Sequence, residues 1–297
     1  MSEKVNYWDY IGVDVLMKLQ HPKTNYEDEC IFIIYHQISE LFFKLIINEL
    51  VLLTDTDKKE YLEPDHWIKR IGRVINNFNI LTDSISVLMP EYPVFHKSKQ
   101  IFNDSDISSI SVKCFDNSQF LKFREALVPA SGFQSLQYRM IEIMSTQLKN
   151  LVHPSKKEEL KNEHNIQKLY PNLYWKFGAR IIKNENQTKP ELLDKAETLV
   201  EFEKKYDEYF LDLAKEYENK NLLYLYDKYI SKIENDNASK IRKILNYYDV
   251  IVNRHYKGVH YGLAYAHLKD STGTGGTNWH QYLSISKNEI SFFDFEL

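Results

Sequence analysis

Residues 27–53 read EDECIFIIYHQISELFFKLIINELVLL. None of the eight prolines falls inside this stretch. Phe32, Ile33, Ile38, Leu41, Phe42, Phe43, Leu45, Ile46, Leu50 and Leu53 recur at three- and four-residue intervals, which is the helical period. They are too dense for a single stripe. The spacing therefore predicts a helix apolar over most of its circumference, buried in the centre of a bundle.

The rest of the chain extends this reading. Trp67, Ile68, Ile71, Val74, Ile75, Phe78 and Leu81 predict a second helix from about Asp65 to Leu88, started by Pro64-Asp65 and ended by Pro90. Residues 90–117 show no period and read as a long connection. A third helix covers roughly Asn117 to Leu127 and stops at Val128-Pro129-Ala130-Ser131-Gly132, and a fourth runs from Phe133 to about Leu151. Residues 154–190 read as short-helical and polar, and 190–220 as an exposed two-faced helix whose charges form a solvated face. A last long helix is expected from about Asn237 to Leu268, before a Gly- and Thr-rich turn at 269–277. The fold class expected is all-α: one bundle-like domain over residues 1–297, with additional helices.

Composition narrows the function. The chain has 297 residues, 43% hydrophobic and 27% charged, with nine glycines and eight prolines, which is a core-forming composition. A net charge of −4 argues against a general electrostatic grip on nucleic acid. Two cysteines, Cys30 and Cys114, exclude a disulfide framework and a Cys₄ metal site within one chain. No uninterrupted apolar run reaches the roughly 18–20 residues of a membrane span, and the start MSEKVNYWDY lacks a signal-peptide core, so a cytoplasmic protein without membrane partners is expected. The unusual quantity is the aromatic share, 14%, from 21 Tyr, 16 Phe and 4 Trp. Planar side chains in that number can line a large flat pocket.

Several residues could carry chemistry. His36 follows Phe32 by one turn in the most apolar helix; as a core histidine it needs a hydrogen-bond partner, and otherwise a ligand. His255, His260 and His267 lie on the last long helix, and His260 and His267 share a face. An axial haem ligand needs only one such histidine beside an apolar cavity, whereas the HxxxH spacing of a helical zinc site is absent. Arg124 shares a face with Phe120; its guanidinium can grip a carboxylate with two hydrogen bonds, or else form a surface pair with Glu125 or Asp116. Gly273-Thr274-Gly275-Gly276-Thr277 offers backbone N–H groups and a hydroxyl, but no Gly-Lys-[Ser/Thr] follows and no strand precedes, so it is no phosphate loop.

Four separated motifs, in order, resemble the tryptophan 2,3-dioxygenases, a family of haem enzymes. They are Tyr7-Trp8-Asp9-Tyr10 with Leu19-Gln20-His21-Pro22; the stretch from Phe32 through His36 to Lys44; the stretch from Phe123-Arg124 through Ser131-Gly132 to Glu142; and Gly273-Thr274-Gly275-Gly276 after a histidine-bearing helix. The third is long and the most specific.

The resemblance implies an all-α haem-binding homotetramer, a dimer of dimers, using haem b. It implies that L-tryptophan and O₂ are the substrates and that both oxygen atoms enter across the indole C2–C3 bond, giving N-formyl-L-kynurenine. His260, 13 residues before the first Gly of the GTGG motif, matches the axial haem ligand. His36 matches the distal histidine, with Phe32 and Phe120 as the aromatic walls. Arg124 matches the substrate-carboxylate arginine, and Thr274 the threonine that binds the amino-acid head. Ser131 and Gly132 match the loop over the haem edge. Tyr7, Tyr10 and Ile11, within an N-terminal segment of residues 1–25, match residues that enter the neighbouring subunit's site. The chain departs from the pattern at Thr277-Asn278-Trp279-His280 and at Gly258 and Gly262, two helix-weakening residues beside His260 that call for compensating close packing, for which the porphyrin is a candidate. The competing expectations are a mono-oxygenase or hydroxylase of the same scaffold acting on a tryptophan or tyrosine derivative, and a non-catalytic haem sensor or carrier.

Overall fold

The computed structural model describes residues 4–90, 92–93, 111–112, 114–127, 134–178, 193–232, 236–269, 277–293 and 295. The described residues are predominantly helical, as expected, and fall into two compact units. One comprises Met1–Ile38 and Val87–Leu127, the other Ser39–Ser86 and Val128–Leu297.

The helix read first forms over Glu27–Leu53. Its burial is not as expected. Ile34, Ile38, Leu41 and Leu45 are exposed, as is His36, while Phe43, Ile46, Ile47 and Leu50 are buried. The chain covers one side of the helix and leaves an apolar row at 4-3-4 spacing on another. It is also the one helix among the described residues long and apolar enough to cross a membrane by length and composition. Glu40, Lys44 and Glu49 interrupt it, and Glu49 accepts Arg70 at 2.7 Å and Arg73 at 3.2 Å, which is the setting of a helix packed on protein.

In the smaller unit, the loop before this helix is pinned by Glu29, whose carboxylate accepts the Lys23 and Thr24 amides at 2.7 and 2.8 Å. The helix Asn117–Phe123 begins at Asp116, whose carboxylate accepts the Ser118 amide, a cap worth about 1 kcal/mol. Asp28 ties the two helix starts together by accepting the Asp116 amide. The expected continuation to Leu127 tightens into a single 3₁₀ turn, Arg124–Ala126. Within residues 90–117, read as a connection, Tyr92–Pro93 pairs antiparallel with Ser111–Val112.

In the larger unit, Pro64–Ser84 buries Trp67, Ile71, Val74, Phe78 and Leu81, the face read from the sequence. It packs on Asp236–Val250 through Ile241, Leu245 and Tyr248. The fourth helix is shorter than expected, Leu136–Ser145, because Ser135 caps it and Thr146 leaves it to bond the Phe292 carbonyl at 2.5 Å. The exposed two-faced helix forms over Glu197–Tyr217. The last long helix is three pieces: Asp236–Val250, a π-helical turn Ile251–Tyr256, and Lys257–Leu268. Two helices not read from the sequence, Leu222–Lys228 and Trp279–Asn288, are capped by Asn221 and Asn278.

Candidate functional site

The smaller unit holds a phenylalanine cluster. The ring of Phe32 lies 6.0 Å from Phe120 and 5.6 Å from Phe123, and Phe115 lies 5.9 Å from Phe120. Phe115 and Phe123 are buried and Phe32 and Phe120 half-buried, so the inner pair supports an outer pair that can present a face to a ligand. His36 stacks on Phe32 with ring centres 4.0 Å apart. Its Nδ1 lies 2.7 Å from the Phe32 carbonyl. A carbonyl only accepts, so in this contact Nδ1 is the donor.

Arg124 extends over the outer edge of this cluster, its guanidinium carbon 5.7 Å from the Phe120 ring centre. It is half-buried, and no carboxylate among the described residues lies within 4 Å of it. The surface pair considered for it does not form: Asp116 is occupied at Ser118, and Glu125 acts only through its field. Burial pushes the guanidinium below its ordinary value, opposed by Glu125. A partly desolvated cation with no counter-ion among the described residues favours an anionic ligand. Sequence reading found Phe32, His36, Phe120 and Arg124. It missed Phe115 and Phe123, whose only signal is the aromatic density of residues 115–123.

His260 lies in the larger unit, on Lys257–Leu268. It is half-buried, whereas His267 on the same face is buried and His255 is exposed. A chain of aromatic contacts leads to it: Phe43 to Phe78 at 6.4 Å and Phe78 to Tyr256 at 5.5 Å, both tilted, and Tyr256 to His260 at 6.5 Å, stacked. A porphyrin brings four nitrogens of its own, so one accessible imidazole on a rigid helix completes the donor set it needs. The described residues contain no group of three His, Cys, Asp or Glu that would suit a bare metal ion instead. A half-buried helical imidazole is the donor type a haem takes from a protein, and His260 is of that type. A Cβ at Gly258 or Gly262 would meet no protein atom within 4 Å, so both positions leave open space beside His260.

The departure at 277–280 has a structural reason. Asn278 accepts the Gln281 amide and starts a helix. His280 then meets the Tyr261 hydroxyl at 2.6 Å. Ser131, Gly132 and Thr274 lie outside the described residues. Tyr7, Tyr10 and Ile11 form one short helix, Tyr7–Ile11, with no buried residue; Tyr7 is 72% and Tyr10 82% exposed.

These features define a class: a helical protein with a phenylalanine cluster, an imidazole stacked on it and a guanidinium without an ion pair among the described residues in one unit, and a half-buried helical histidine in the other. Comparison with known proteins is more particular. A family model described as tryptophan 2,3-dioxygenase matches residues 1–98. The tryptophan 2,3-dioxygenase of Ruegeria sp. is 30% identical over 155 residues, 52% of this chain and 46% of that protein. Tryptophan 2,3-dioxygenase 2 of Ralstonia nicotianae is 36% identical over 145 residues, 47% of this chain and 34% of that protein. The Bacillus cereus enzyme is 30% identical over 142 residues, 48% and 41% respectively. The chain is thus a relative of the tryptophan 2,3-dioxygenases, and it spans less than half the length of the curated relatives it matches.

Proposed function

We propose that this chain is a haem-dependent tryptophan 2,3-dioxygenase, converting L-tryptophan and O₂ to N-formyl-L-kynurenine. The observation that carries the reading is Arg124, a half-buried guanidinium with no carboxylate within 4 Å among the described residues, beside His36, Phe32 and Phe120. A non-catalytic gas sensor has no use for it. A zwitterionic, planar, N–H-bearing substrate uses all four.

In this reading Arg124 binds the substrate carboxylate, and Phe32 and Phe120 flank the indole and exclude water. His36, its ring held by the Nδ1 contact to the Phe32 carbonyl, accepts the indole N–H at its other ring nitrogen. That bond fixes which indole carbons face the oxidant. Haem b, held by His260, supplies the redox chemistry that closed-shell indole and triplet O₂ lack. Thr274 takes the amino-acid head, and Ser131 and Gly132 border the haem. The assembly proposed is a homotetramer in which Tyr7, Tyr10 and Ile11 enter a neighbour's site; their helix without a buried residue and the exposed row Ile34, Ile38, Leu41 and Leu45 support it.

The test is to reduce the haem-loaded protein without air, add tryptophan and ¹⁸O₂, and weigh the product. Two labelled atoms are expected. One labelled atom supports the mono-oxygenase alternative instead, and no product sinks the enzymatic reading. His36→Ala is expected to keep haem and lose about 10- to 100-fold in kcat, the worth of one orienting hydrogen bond. Undiminished turnover in that variant removes His36 from the mechanism.

A further inference from the structure

Helix Lys257–Leu268 begins with a buried lysine that the proposed chemistry does not use. The Lys257 ammonium lies 3.2 Å from Glu142 Oε1 and 3.2 Å from the Ser286 carbonyl. Glu142 is fully buried and also accepts Arg139 at 2.5 Å and the Tyr174 hydroxyl at 2.7 Å. Arg139 reaches the Tyr174 and Tyr282 hydroxyls at 2.6 and 3.2 Å. The cluster thus joins four helices: Leu136–Ser145, Tyr174–Phe177, Lys257–Leu268 and Trp279–Asn288.

Two features argue that this lysine does more than hold the fold. Arg139 alone already neutralises Glu142, so the lysine brings a second cation into a buried site, which is costly for stability. Burial pushes the ammonium down to about 8, against the pull of Glu142 and Asp249. It nonetheless stays mostly charged at neutral pH. Its position is one helical turn before His260, where side chains three apart are neighbours.

We infer that Lys257 is a tuning residue for the group His260 holds: tied to Glu142 and Ser286, it fixes the start of the His260 helix and places a positive charge one turn from the axial imidazole. This rests on the haem reading proposed above. A nearby buried cation opposes the higher charge of oxidised iron and favours the reduced state in which O₂ binds. The charges facing Lys257 are Glu142 and Arg139 on one helix and Asp249 on Asp236–Val250. All remain when Lys257 alone is changed, so the difference between variants isolates its charge.

The experiment compares haem-loaded wild type with Lys257→Arg, Lys257→Met and Lys257→Gln. The iron midpoint potential is measured by spectroelectrochemical titration, and the melting of each haem-free chain is recorded beside it. A downward shift in potential is expected for Lys257→Met and Lys257→Gln, with Lys257→Arg close to wild type. The haem-free melt of Lys257→Met reads what the fold loses with the Glu142 and Ser286 contacts, separately from the potential. Gln retains hydrogen-bonding groups near the ammonium position, so it reads the charge if Met disturbs packing. Unchanged potential in both neutral variants overturns the inference while leaving the haem reading intact. So does an equal fall in Lys257→Arg, which would mean packing and not charge. A wild-type chain that takes up no haem overturns both.

Discussion

His260→Ala protein is expected to purify without haem, its Soret band absent, while its helical content stays that of the wild type. The physical reasons are separable. Alanine is the best helix former, and His260 sits half-buried on a helix whose packing depends on Lys257, Leu263 and His267, so the fold has little to lose. The iron loses the protein atom proposed to hold it. The neighbouring histidines provide the control. His267 is buried in the last turn and His255 is exposed on the π-helical turn. His267→Ala should keep the Soret band. Free imidazole added to His260→Ala should restore haem uptake by entering the space the ring left. A normal Soret band in His260→Ala would sink the assignment of the axial ligand.

The bounds of Glu27–Leu53 were legible because periodicity and the absence of proline are local properties. Its burial was not. Dense apolar residues say that a helix wants covering, and they do not say that the same chain covers it. Ile34, Ile38, Leu41 and Leu45 are the residues for which that inference failed. The stretch 237–268 failed differently. Its apolar residues run on without a break, so a 3.6 period reads straight through Ile251–Tyr256. The wider π turn there changes the facing of everything after it, His260 included.

The site divides along the same line. His36 and Phe32 are one turn apart, as are Arg124 and Phe120, so each pair was visible in sequence spacing. The approach of Phe32 to Phe120 joins residues 88 positions apart and emerges only from folding. The same holds for Lys257 with Glu142, 115 positions apart, a pair with no sequence signal at all. Short-range chemistry can be read; which distant residues share a recess depends on packing.

Arg124→Ala is expected to lower kcat/KM for tryptophan by about 2–5 kcal/mol, roughly 30- to several-thousand-fold, the range for losing one partner of a desolvated charge pair. The fold should hardly notice. Arg124 has no ion pair to lose among the described residues, and its contact over Phe120 is worth only about 0.5–1 kcal/mol at a partly exposed site. Arg124→Lys should recover part of the loss, since an ammonium supplies the charge without the two-pronged geometry. The decisive comparison uses tryptamine, which keeps the indole and the amine and lacks the carboxylate. If Arg124 acts by gripping that carboxylate, wild type should already handle tryptamine poorly, and Arg124→Ala should add little further loss. The two deletions, one on the protein and one on the substrate, then remove the same interaction. If Arg124→Ala instead costs as much with tryptamine as with tryptophan, the guanidinium is serving the recess itself, and the substrate carboxylate must be bound elsewhere.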